Sequence, residues 1–317
     1  MNTLIIPFSA SSVSLRSTPH VVGVPSATAI AGFGHALCRL IGEAFGLEIH
    51  ERGTALAVNR YSLLPGRPKH ALARKTQGSK ARDGSGSPMV DERIGHLTGA
   101  ILVRFEASSI GTQTVASALD GLKDLMHLLR LAGGHLQVTH KLSLFQDDDG
   151  PAALRTLPGY YRILVDRTSW IASYAKLKEI DHLESLVKLL LASERQMSSF
   201  SHDALSSPDV SVSPEVEAEP PLEGFEEFYI EADAQESTLD PDKVYLGRLL
   251  PIDIGYRLIE KPTSRNTGMP YLHAYAEPVL GIARLQALSS YRKSKEGFSA
   301  FWVHHNEANT YLALGAN

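Results

Sequence analysis

Apolar positions recur along the chain with two different periods. Leu4-Ile5-Ile6, followed by Pro7 and Phe8, is an apolar run of strand length, and Val13 to Val24 continues in extended character up to a turn at Gly23 to Pro25. Ser26 or Thr28 then caps a helix over 27–45, where Ile30, Phe33, Leu37, Leu40, Ile41 and Ala44 fall at helical spacing and Gly46 ends the run. Leu47-Glu48-Ile49 and Ala55-Leu56-Ala57-Val58 open a second extended element, and Ala100 to Phe105 form a third. Val115, Leu119, Leu122, Leu125, Met126 and Leu129 mark a second helix that stops at Gly133-Gly134, with a fourth strand from Leu136-Gln137-Val138 onward.

The order strand, helix, strand, strand, helix, strand is that of a ferredoxin-like, or RRM-like, core. The ring signature of a base-stacking RRM sheet is missing, because Gly32-Phe33-Gly34 falls within the first helix rather than on a central strand. Beyond Leu157-Pro158-Gly159, a strand is expected at Tyr160 to Val165. Trp170 to Gln196 then read as two helices or one broken near Asp181. Ser198 to Asp242 combines prolines, serines and acidic residues in a composition that cannot build a core, with an apolar island at Phe225 to Ile230. Order resumes at Val244 to Arg248, with a helix expected over Pro278 to Tyr291 and a final strand near Phe301-Trp302-Val303. The fold class is therefore α+β: a modified ferredoxin-like core over 1–157 with a basic loop at 60–93, a helical insertion at 158–202, an acidic flexible linker at 203–242, and a β-containing extension at 243–317 that completes the body.

Charge sharpens this picture. The formal net charge is -4, from 31 basic and 35 acidic residues. Thirteen of the acidic residues lie between Asp203 and Asp242, a stretch without Lys or Arg, which leaves 31 basic against 22 acidic elsewhere. A basic body carrying one acidic segment is the asymmetry of a polyanion binder. Arg60, Arg67, Lys69, Arg74, Lys75, Lys80 and Arg82 sit among Pro, Gly and Ser, so that this loop is suited to tracking phosphates. The opening MNTLIIPFSA has no basic flank, and no apolar run has the length of a membrane span, so a cytoplasmic location without membrane contact is expected. Cys38 is a single cysteine in an apolar helical stretch, read as a buried thiol.

No constellation dictates catalysis, and neither a cofactor nor a metal is expected. His304-His305-Asn306-Glu307 carries plausible ligands, but adjacent strand residues point to opposite faces, which sets His304 and His305 apart. Asp147-Asp148-Asp149-Gly150 lacks the alternation and distal Glu of a calcium loop.

Val22-Gly23-Val24-Pro25-Ser26-Ala27-Thr28-Ala29, running into Gly32-Phe33-Gly34-His35-Ala36-Leu37-Cys38-Arg39, resembles the Csy-two family, the Cas-five type subunit of type I-F CRISPR complexes. The resemblance continues at Leu129 to Gly134, Leu157 to Tyr160, Leu249 to Ile252 with Gly255-Tyr256, and Trp302 to Glu307. Val24, Ala27 and Gly34 depart from the family pattern, as do the acidic spacer and the helices after Trp170, which marks a divergent or variant member. The resemblance implies a non-catalytic subunit that caps the 5′ handle of the guide RNA (crRNA), contacts Cas-seven type backbone subunits and borders target double-stranded DNA. A large subunit is an optional partner; in variants lacking one, the cap protein reads the short motif (PAM) beside the target. Within this frame Gly23, Pro25, Ser26, Arg39, Arg130, Gly133, Gly134, Arg248, Arg257, His304 and His305 are the candidate RNA contacts. Arg60, Arg67, Lys69, Arg74, Lys75, Lys80, Arg82, Lys176 and Lys178 are the candidate DNA contacts. Two alternatives stand beside it. One is a handle-processing ribonuclease using His35 with Lys141 or Tyr160, and the other is a general binder of single strands.

Overall fold

A computed structural model describes residues 1–18, 21–64, 73–75, 89–91, 93–146, 152–205, 245–264, 272–293, 298–307 and 309–316. In chain order the main elements are β1 (Asn2–Ser14), α1 (Ala27–Phe45), β2 (Ile49–Leu63), β3 (Ile94–Ala107), α2 (Ser109–Ser117), α3 (Leu119–Leu125), β4 (Gly134–Val138) and β5 (Ser143–Gln146). They continue with β6 (Arg162–Asp166), α4 (Ser169–Lys178), α5 (His182–Leu205), β7 (Arg248–Leu258), β8 (Ala276–Ala287), α6 (Leu288–Tyr291), β9 (Trp302–Glu307) and β10 (Thr310–Gly315). This is a mixed α+β fold built on one large antiparallel sheet.

The first part of the chain lays its strands side by side in the order β4, β1, β3, β2, with β5 also paired to β1. β3 sits between β1 and β2 and is antiparallel to both. Both of its faces are covered, which explains why Ala100 to Phe105 is a continuous apolar run rather than an alternating one. Ile101, Val103 and Phe105 join the core beneath α1, α2 and α3, while Ala100 and Leu102 join a second core closed by Leu154, Leu288 and Phe301.

The second edge of β2 is shared. It pairs with β9 at Thr54 and with β6 at Ala57 and Val58. Since β6, β8, β7, β10 and β9 also pair in that order, six strands form a closed circuit. Leu56, Leu164, Ala283, Ile252, Ala313 and Trp302, one from each strand, meet in the same core as α1. On the outer side of β7 and β8, Leu249 and Ile282 pack against Ile171 and Tyr174 of α4 and Leu186 and Leu189 of α5.

Two expectations are corrected here. Pro278 to Ala287, read as helix, is strand β8; only Leu288–Tyr291 is helical. Ala283 and Leu285 turn toward the α1 core and Leu280 and Ile282 toward α4 and α5, so tertiary pairing overrides the helix-forming composition of Ala283-Arg284-Leu285-Gln286-Ala287. The single second helix is in fact α2 followed by α3, with a 3-10 turn at Met126–Leu128. The break near Asp181 is real, and α5 runs on to Leu205. Beyond its first three residues, the acidic linker 203–242 lies outside the described residues, as do the island 225–230 and Asp147 to Gly150.

α1 fixes everything around it. The Ser26 hydroxyl accepts from the Ala29 N–H at 3.1 Å, and Gly46, at φ 63°, ends the helix with its N–H bonded to Gly42 O. Midway along, Gly34 lies so close to β2 that an added Cβ would collide with Thr54 Oγ1. The same approach seals Glu51, whose carboxylate accepts from the Thr54 hydroxyl at 3.2 Å. Burial pushes the Glu51 carboxyl up to about 7, against the lowering influence of Thr54, the Gly53 backbone and Arg52. Burial also raises the Cys38 thiol, to about 12, with the Glu51 charge adding to the effect, so that Cys38 stays protonated.

Two outcomes follow. Gly34→Ala lowers unfolding stability by about 1–3 kcal/mol through overpacking, read from the midpoint of a urea titration. Because the Glu51 carboxyl binds its proton more tightly folded than unfolded, its stabilising contribution is present at acid pH and is lost as the pH rises from about 5 through 7. Glu51→Gln therefore matches wild type most closely near pH 5 and gains on it progressively up to pH 8. A constant difference across that range refutes the assignment.

Candidate nucleic-acid interface

Two groups of candidate residues come together along α1. The first gathers where β1 ends. Gly23, at φ 142°, donates its N–H to Leu15 O at 2.7 Å, and the neighbouring Ser14 N–H donates to Ala132 O at 3.0 Å. Ala132 and Gly133 have φ of 45° and 79°, the two successive positive values of a tight hairpin turn between Arg130–Leu131 and β4. Gly23 and Gly133 face open space, whereas a Cβ on Gly134 would meet Val13 Cγ2 at 2.7 Å and Ser11 O at 2.8 Å. Gly134 is thus a packing glycine, buried against β1 rather than presented to a ligand. Pro25 is buried as well, and the Ser26 hydroxyl serves α1 as its cap. Arg130 is exposed beside the turn.

The second group lies further along α1 and is a row of rings. Tyr256 of β7 and Tyr311 of β10 are register partners, their rings stacked with centroids 5.2 Å apart and planes at 19°. A bulge between Asp253 and Gly255 sets this up, with the Asp253 carboxylate accepting from the Gly255 N–H at 2.9 Å. Gly255, at φ 156°, lets the Tyr311 backbone approach where a Cβ would clash with its carbonyl. His304 stands diagonally across the β9–β10 ladder, 5.2 Å from the Tyr311 ring and in hydrogen-bond contact with its hydroxyl through Nδ1. His35, exposed on α1, meets the His304 ring edge-on at 6.0 Å.

Burial holds the His304 imidazole below its usual range, with the nearby His35 and His305 charges acting the same way and a backbone hydrogen bond to Ala31 opposing them. It is neutral at neutral pH. The Tyr311 hydroxyl is raised by burial, then by Tyr256 and Glu51. Arg39, one turn beyond His35, pairs with Glu43 at 3.4 Å, with both side chains 70% exposed. A contact so open to solvent is weak enough for a phosphate to displace it.

Other candidates lie apart from this face. Strand alternation turns His305 and Arg257 away from His304 and Tyr256, and Arg257 is ion-paired with Glu277 across β7 and β8. Arg248 borders a cleft with Leu190, Glu194 and Met197 of α5. Arg60 is exposed on the outer half of β2. Arg74 and Lys75 lie on a short strand, Ala73–Lys75, paired with Met89–Asp91. Arg67, Lys69, Lys80 and Arg82 lie outside the described residues. Lys176 and Lys178 are exposed on α4, where the Lys178 ammonium sits 6.0 Å from the Tyr174 ring centroid.

Of the residues along this face, the sequence nominates His304 and Arg39 as candidates, assigns no role to Tyr311 and brings in Tyr256 only as part of a family block. The ring partner of His35 is His304, rather than Lys141 or Tyr160. Among the described residues, no group of three or more His, Cys, Asp or Glu is arranged to hold a metal ion, and no helix is long and apolar enough to cross a membrane.

The family model described as CRISPR-associated protein (Cas_Csy2) matches residues 10–313, which takes in both groups of residues along α1. The CRISPR-associated protein Csy2 of Pseudomonas aeruginosa (strain UCBPP-PA14) is 26% identical over 137 residues, a stretch that covers 42% of this chain and 41% of that relative. The alignment therefore spans less than half the length of the curated relative. With the family match running nearly end to end, the chain belongs to the Cas_Csy2 family of CRISPR-associated proteins.

Proposed function

We propose that this chain is a non-catalytic RNA-binding subunit of a type I-F CRISPR surveillance complex, capping the 5′ handle of the guide RNA from a modified ferredoxin-like core. The observation that carries the reading is the family match over residues 10–313. The strand order β4, β1, β3, β2, with helices joining β1 to β2 and β3 to β4, suits that core. Between Ser26 and His35, α1 extends about 13 Å, room for a few nucleotides. Gly23 and Gly133 allow close backbone approach at one end, Arg39 supplies charge, and the ring row closes the other end. Expected partners are the guide RNA, Cas-seven type backbone subunits and the target duplex, with a large subunit optional.

Arg60, and the paired strands that carry Arg74 and Lys75, suit phosphate contact with the target duplex; Lys176 and Lys178 offer a second basic surface on α4. In a variant without a large subunit, reading the short motif beside the target would also fall to this chain.

A second reading, a handle-processing ribonuclease, is favoured by one observation: two histidine rings 6.0 Å apart beside a tyrosine hydroxyl. Such an enzyme needs a base and a cation around one 2′-hydroxyl, and the depressed imidazole of His304 offers only the base.

Incubating the full chain with repeat RNA in chelator separates these readings. The expected result is tight binding of the 5′ segment, far weaker binding of scrambled RNA, and no cleavage. Cleavage that vanishes in His35→Ala replaces the proposal with the ribonuclease. Equal affinity for scrambled RNA replaces it with a general single-strand binder.

For the duplex, changing Arg60, Arg74 and Lys75 together to Ala leaves handle binding intact. It makes the slope of log affinity against log salt shallower by about 0.9 for each phosphate that is no longer neutralised. Equal losses for RNA and duplex remove these residues from the DNA path.

A further inference from the structure

The ring row has a feature that packing alone does not account for. A cross-strand tyrosine pair that serves only to close a core is best buried, and the inner members do comply: Tyr311 and His304 are half-buried against α1. Tyr256, at the outer end, remains 44% exposed although its other ring face is stacked on Tyr311. The row therefore stops at an aromatic surface open to solvent, held in place by a stacked neighbour and a backbone bulge at Gly255.

Resting on the guide-binding reading above, we infer that the exposed ring of Tyr256 is a stacking platform for one unpaired RNA base, with His35 and Arg39 placed to meet the backbone that carries it. Three observations argue for a base over other flat or cationic partners. The rings are pre-stacked and fixed by the ladder, so a base is added to an ordered pile at little entropic cost. Burial favours the neutral form of His304, the ring in contact with the Tyr311 hydroxyl. On the same side of α1 as His35 lies the guanidinium of Arg39, whose pair with the equally exposed Glu43 is weak enough to yield to a phosphate. A stack on one face of Tyr256 is tolerant of base identity, because every base has a π-face; selection would come from hydrogen bonds at its edge.

The experiment uses the full chain and the repeat-derived 5′ RNA segment, with 2-aminopurine replacing each base in turn. One position is expected to be quenched on binding to wild type and to Tyr256→Phe, and to stay bright with Tyr256→Leu. Leucine keeps apolar bulk at the strand position but removes the π-face. Handle affinity should fall roughly 5- to 150-fold in Tyr256→Leu, and stay within about twofold in Tyr256→Phe. If wild type binds the segment tightly but no position responds to the Tyr256 change, the platform is refuted while the guide-binding reading stands. Unchanged RNA affinity in Tyr256→Leu with weakened association to co-purified protein subunits assigns the ring to a protein partner, and refutes the inference. Failure of wild type to prefer the segment over scrambled RNA overturns the guide-binding reading, and the platform with it.

Discussion

The absence of a side chain at Gly34 is the constraint on which the interface depends. Any Cβ there would collide with the Thr54 hydroxyl of β2, so α1 can lie this close to the sheet only with glycine at that position. His35 is the next residue along the helix, and Ala31, three back, is hydrogen-bonded to His304. Moving α1 outward to admit a methyl group would therefore separate His35 from His304 and unseal Glu51 together. Overpacking costs of about 1–3 kcal/mol are a large share of a typical domain stability of about 5–15 kcal/mol. The same close approach partly buries the Glu51 carboxyl, and that loss of hydration is what raises it.

Backbone devices, more than polar networks, aim the side chains of this surface. The Asp253–Gly255 bulge brings β10 into contact and sets Tyr256 opposite Tyr311, and the hairpin at Ala132-Gly133 reaches the end of β1 where the Ser14 N–H donates to Ala132 O. Strand alternation then divides the charges. Rings and a neutral imidazole face α1, while Arg257 and His305 are sent to the other side, where Arg257 already has Glu277 as a partner. The result is a strip of rings with Arg39 at its margin, which suits the proposed reading of phosphates held at the rim and a base over the rings.

The parts of the fold that were legible in the sequence are those whose signal is local. Ile30, Phe33, Leu37 and Ile41 gave α1 through their spacing, Ser26 or Thr28 and Gly46 bounded it, with Ser26 proving to be the cap, and Ala100 to Phe105 gave β3 through an unbroken apolar run. β8 was hidden because Ala283 to Ala287 is composed of good helix formers, and its strand state comes from pairing with β6 on one side and β7 on the other. β7 was hidden by Pro251 and Gly255. The proline is tolerated because β10 reaches β7 only at residues 255–257 and leaves that edge unpaired at Pro251. The alternation of His304 and His305 was legible, since it needs only strand geometry. The ring row was not, because His35 and Tyr311 belong to opposite ends of the chain and no periodicity couples them.

The closed circuit of strands carries a consequence for the order of events in the cell. β2 is made early, yet its second edge is completed by Arg162–Ile163 and by Trp302, and His304, Tyr311 and Tyr256 all come from the last third of the chain. Contacts of such long sequence separation form late and slowly, after the local helices and hairpins. Until the β9–β10 hairpin is released from the ribosome, the edge of β2 at Thr54 stands open and half of the proposed interface does not exist. The proposed RNA-facing surface thus needs residues 256–311 as well as α1, and a chain stalled before them would present α1 beside the Gly23 and Gly133 turns alone.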